Sequence, residues 1–137
     1  MTEIEWRGTR APSLADFEGL AAEAWERLPD HFRRACEDLV IRVEDFATDE
    51  VLDELGIEST FDLMGLYQGV SLDRKSSLDV QRTPDMVFLY RRAILDYWAD
   101  GEESLGDLVT HVLVHEIGHH FGLSDEDIDA IEAAAKT

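Results

Sequence analysis

Apolar residues at Leu14, Phe17, Leu20, Ala21, Ala24, Trp25 and Leu28 recur at intervals of three and four, which predicts an amphipathic helix. Ser13 with Asp16 supplies a capping box at its start, and Pro29 stops it. A short helix follows around residues 31–37, and the β-branched run Leu39-Val40-Ile41-Arg42-Val43 predicts a strand. Thr48, ahead of Asp49 and Glu50, caps another short helix that runs through Leu55 and ends at Gly56. The stretch 63–72 is apolar but interrupted by Gly65 and Gly69, a pattern suited to a strand with a bulge or a tight backbone approach. Residues 73–84 are polar and predict an exposed loop, and Met86 to Tyr90 predict a buried strand. After a short helix around Ile94 to Trp98, Gly101 breaks the chain. Ser104 with Asp107 then opens the longest helix, which ends near Gly122, and an acidic helix covers residues 124–134. Residues 1–12 lack periodicity and are expected to form a flexible arm, so the domain proper is 13–137.

The longest helix carries the chemistry. Its buried face is defined by Leu105, Val109, Val112 and Leu113, and Glu116 projects into that same sector. A carboxylate there is costly without a partner. The residues around it read His115-Glu116-Ile117-Gly118-His119, the pattern H-E-x-x-H. Positions i and i+4 of a helix are about 40° apart, so both imidazoles can reach one cation. Glu116 lies about 100° from His115, where it can reach a water on that cation as a general base. The motif extends to H-x-x-G-x-x-D: Gly122 can turn the chain back and return Asp125 as a third ligand, with Glu126 or Asp129 as substitutes. Two imidazoles, one carboxylate and an open position compose a catalytic zinc site, although such donors also accept Fe, Co, Ni or Mn. The bland reading of Asp125 is that it complements the dipole of a helix capped by Ser124.

Other polar residues point less sharply. His111 lies one turn before His115, but three histidines in a straight row do not surround one ion, so a supporting or surface position is expected. His120 should pack or hydrogen-bond elsewhere, and His31 has no motif around it. Tyr67 and Tyr90 are candidate substrate or oxyanion contacts from the sheet, against the plainer reading of strand packing. Arg91 and Arg92 could pair with the acidic surface or orient a substrate carboxylate.

Charge narrows the partners. Thirty-one acidic against twelve basic residues leave a formal charge of −19, whose field repels phosphate backbones and anionic membranes. Neither a nucleic acid nor a membrane is an expected partner. Cys36 is the single cysteine, so multi-thiolate zinc cages are excluded, and burial as a small hydrophobe is expected of it. The N-terminus lacks the basic and apolar regions of a signal peptide, and no apolar run reaches the length of a membrane span, which makes a cytoplasmic location the default; a monomer is expected.

The run from Leu108 to Ile128 resembles the signature of the small bacterial zincin-like metallopeptidases, predicted zinc-dependent proteases with an HExxHxxGxxD motif. Gly65-Leu66-Tyr67-Gln68-Gly69 and the segment from Leu89 to Asp96 are similar to that family too. The resemblance implies an α+β, zincin-like single domain, a small mixed sheet packed against the HExxH helix, and hydrolysis of peptides or proteins. The chain departs from the larger metzincins, because all three methionines precede the motif and only 12 residues follow Asp125. A shallow, partly open cleft is therefore expected. Two rival readings remain: a non-catalytic zinc protein, and an acidic module that engages a basic partner.

Overall fold

The computed structural model describes residues 5–36, 38–69 and 85–136. The loop anticipated at 73–84, the 70–72 end of the apolar stretch and the first four residues of the arm lie outside the described residues, as does the side chain of His31.

In chain order the elements are α1 (Leu14–Glu26), α2 (Asp30–Ala35), β1 (Val40–Glu44), α3 (Asp49–Leu55), β2 (Gly65–Gln68), β3 (Met86–Tyr90), α4 (Arg91–Ala99), α5 (Leu105–Phe121) and α6 (Asp125–Lys136). Local chemistry sets their ends. Ser13 and Asp16 exchange both hydrogen bonds of the capping box at 3.1 and 2.8 Å, and Thr48 and Ser104 each accept a backbone N–H three residues on, at 3.2 Å. Two features depart from expectation. α4 starts at Arg91, directly after β3 and without a side-chain cap, three residues before its apolar spacing becomes readable at Ile94. A 3-10 turn at Thr60–Asp62, capped by Ser59, precedes β2 and had no periodic signal.

The sheet has the order β1-β3-β2, with β1 parallel and β2 antiparallel to the central strand. β3 alternates between two cores, as a strand covered on both faces must. Val87 and Leu89 join Phe17, Ala21, Leu28, Val109, Leu113 and Ile117 beneath α1 and α5, whereas Tyr90 packs with Ala47, Leu52 and Ala93 on the face of α3 and α4. The architecture is thus α+β, with a small mixed sheet against the helix that carries the motif. Cys36 is buried in the larger core, and burial pushes its thiol up to about 11.

Two close approaches fix the surroundings of α5. A side chain at Gly65 would stand 2.6 Å from Val112 Cγ1 and 3.2 Å from Glu116 Cγ, so glycine is what lets β2 lie against the helix. On another side, a side chain at Gly118 would collide with Ile128 of α6. Nearer the start of α5, His111 Nδ1 meets Glu132 Oε1 of α6 at 2.6 Å. β2 therefore covers the sector of Val112, Glu116 and His120, α6 covers the sector of His111 and Gly118, and the strip between them is left open. His115 and His119 lie on that strip.

Gly118→Val should lower stability by roughly 1–3 kcal/mol through overpacking, read as a reduced urea midpoint. Adding Ile128→Ala should remove part of the penalty in a double-mutant cycle. Strictly additive losses would show that the two residues do not share the contact.

Candidate metal centre

Helical phase brings the motif residues together. Among the described residues, His115, Glu116 and His119 form the one group of three or more His, Cys, Asp or Glu side chains whose donor atoms all lie within 4.8 Å of one another. The rings of His115 and His119 stand 4.7 Å apart at 69°, and His119 Nδ1 lies 3.1 Å from Glu116 Oε1. His119 is exposed, His115 half-buried and Glu116 only 8% exposed. Two imidazoles at the surface above a sunken carboxylate make a donor set suited to a divalent ion and its water.

Glu116 meets opposing influences. Burial is the largest and pushes its carboxyl pKa up, while His119 and His115, and the backbone N–H donated by Tyr67, pull it down, with the balance raised. A carboxylate held this way binds protons more avidly than a solvated one, a property useful to a general base.

The helix ends as the motif requires. Gly122 adopts the left-handed conformation (φ 69°) and its N–H donates back to Gly118 and His119, so α6 folds back beside α5. Asp125 is the first residue of α6 and is exposed; it stands outside the 4.8 Å group, as do Glu126 and Asp129. Ser124 caps α6 by accepting the N–H of Asp127 at 3.2 Å.

The two tyrosines take other places. Tyr67 offers Glu116 its main chain, while its phenol lies beside Asp85, where burial and that carboxylate push its pKa up. Tyr90 is 2% exposed, and burial, with the carboxylates of Glu44 and Glu116 adding, pushes its hydroxyl up to about 12. Arg91 bridges Asp45 at 2.9 Å and donates to the carbonyl of Pro12 at 2.6 Å, and Arg92 lies over the ring of Phe46. Both arginines thus serve packing between elements. Sequence reasoning missed Asp85 and Glu132 as partners of His120 and His111, because lone acids far along the chain carry no spacing signal.

A cleft of about 250 Å³ adjoins the histidines, walled by Leu63, Met64 and Gly65 on one side and by His111, His115 and Glu116 on the helix. A roomier groove of about 420 Å³ lies between α1 and β1, lined by Trp25, Cys36 and Ile41 among others, away from this chemistry.

The sequence profile of the zincin-like metallopeptidases matches residues 36–135. The chain belongs to the zincin-like metallopeptidase family. The match takes in the sheet, the motif helix and α6, and so includes the donor group just described, which could hold a metal ion. No curated protein matches the chain. No helix among the described residues is long and apolar enough to cross a membrane.

The metal-free protein offers a test of Glu116. A carboxyl whose pKa is raised on folding leaves the folded state holding more protons than the unfolded one, so its ionisation lowers stability as pH rises past the ordinary value of 4.5. Glu116→Gln should therefore stabilise the metal-free protein at neutral pH, and the gain should vanish at pH values well below 4.5. Denaturation curves across pH that show a constant difference would contradict the burial penalty.

Proposed function

We propose that this zincin-like metallopeptidase hydrolyses peptide bonds in peptide or protein substrates as a cytoplasmic monomer, with zinc held by His115, His119 and Asp125 and with Glu116 as general base. The observation that supports it most is the convergence of two imidazoles and one buried carboxylate at the edge of a cleft. Asp125 is our choice of third ligand because the turn at Gly122 leads straight into it as the first residue of α6. When bound, zinc supplies a Lewis acid for the scissile carbonyl and for water.

The chain's own residues carry the remaining steps. Glu116 takes the proton of the attacking water on its carboxylate and passes it to the leaving amine. β2 is the edge strand nearest α5, so an extended substrate can run beside it, with a side chain in the cleft between Met64 and His111. The tyrosine phenols are less suited to an oxyanion role than they looked, since Tyr67 turns to Asp85 and Tyr90 is buried. The small, open cleft also favours a second reading, in which zinc ties α5 to α6 without catalysis.

A proteome-derived peptide library separates the two. Cleavage by the zinc-loaded protein, abolished by chelation, supports the peptidase; zinc that only raises the melting temperature supports the structural role. Glu116→Gln should keep zinc at one equivalent and reduce turnover by roughly 10²–10⁴-fold. His115→Ala should abolish stoichiometric uptake, and Asp125→Ala should weaken it; unchanged uptake in Asp125→Ala would remove that residue from the ligand set.

A further inference from the structure

Two buried polar side chains and the enclosed hydroxyl of half-buried Tyr67 meet where β2, β3 and α5 join, and the hydrolytic reading uses none of them. His120 on α5 is 4% exposed and Asp85, just ahead of β3, is 3% exposed, with His120 Nδ1 at 3.2 Å from Asp85 Oδ2. The ring of Tyr67 on β2 packs edge-on against His120, with centroids 5.6 Å apart. Its hydroxyl and Asp85 Oδ1 both crowd the space that Gly69 leaves empty: a side chain there would stand 2.8 Å from the phenol oxygen and collide with the carboxylate. Two polar side chains in so dry a place are expensive to bury without each other, and removing one leaves the other stranded.

The strand that carries Tyr67 also lies against Glu116: a side chain at Gly65 would stand 3.2 Å from Glu116 Cγ, and the main chain of Tyr67 faces the carboxylate. We propose that Tyr67, Asp85 and His120 form a clasp that fixes the edge strand against the motif helix and thereby positions Glu116. They are positioning residues, acting through the main chain of residue 67. The contact is aimed by two constraints: Gly65, two residues earlier, permits the close approach, and the clasp stops β2 from sliding or lifting away. A catalytic role for this positioning rests on the peptidase reading; the clasp itself does not.

The test uses amide exchange in the metal-free protein and the visible spectrum of the Co²⁺-loaded protein. In the wild type the amide of residue 67 should be protected, and Glu116→Gln should shift its ¹⁵N resonance. Tyr67→Leu, which removes the ring packed against His120, and Asp85→Asn should each speed exchange at residue 67 by roughly five- to tenfold, the scale of one lost buried contact, without matching losses along α5. Both variants should also shift the Co²⁺ bands, whereas Leu52→Ala, which weakens the separate core beneath α3, should leave the bands and the amide of residue 67 as they are. Unchanged protection at residue 67 in both variants, or an equal band shift in Leu52→Ala, would overturn the proposal. Failure of the protein to take up Co²⁺ would remove the metal reading instead, and exchange at residue 67 would still decide whether the clasp exists.

Discussion

The contact between β2 and α5 at Gly65 is the constraint on which the site depends. Because that position has no side chain, the strand lies close enough for its backbone to reach Glu116, and the carboxylate is drawn out of water while still accepting a hydrogen bond. A wider separation would leave Glu116 solvated and its proton affinity ordinary. The other wall arises in the same way, since Gly118 lets Ile128 settle against the opposite flank of the helix. Between two tight contacts runs one uncovered strip, and the only polar residues the motif places there are the two histidines.

Much of this was legible from the chain. Periodicity and capping residues located α1, α3, α5 and α6 because their ends are written locally, in Ser13, Thr48, Ser104, Gly56 and Gly122. The meeting of His115, Glu116 and His119 followed from helical geometry alone. What stayed hidden was non-local. Asp85 lies 35 residues before His120 and Glu132 lies 21 after His111, and an acid and a base so far apart have no common period. Tyr67 is the instructive case: its residue was singled out for a phenol at the site, yet the atom that faces Glu116 is its amide nitrogen, which every residue but proline possesses.

The buried polar groups also organise the helix. Of its histidines, His115 and His119 stand over the open strip, His111 is engaged by Glu132 and His120 by Asp85. Two are thus tied to acids from neighbouring elements. In a chain with a formal charge of −19 there is no shortage of carboxylates, and these two are distinguished by being buried at element junctions. Such pairs favour one arrangement of helix against strand over slipped alternatives, because a shifted register strands a charge.

The parallel pairing of β1 with β3 has a kinetic side. Val40 aligns with Met86, 46 positions along, so the central ladder closes only after a long loop has lost its freedom. The α5–α6 hairpin, by contrast, is joined by three residues, Gly122 to Ser124, and its contacts are local. Helix formation can therefore precede sheet assembly, and the histidines can share a face before β2 arrives to dry out the glutamate beside them. The gathering of the imidazoles and the burial of the carboxylate are then separable events in the life of a newly made chain.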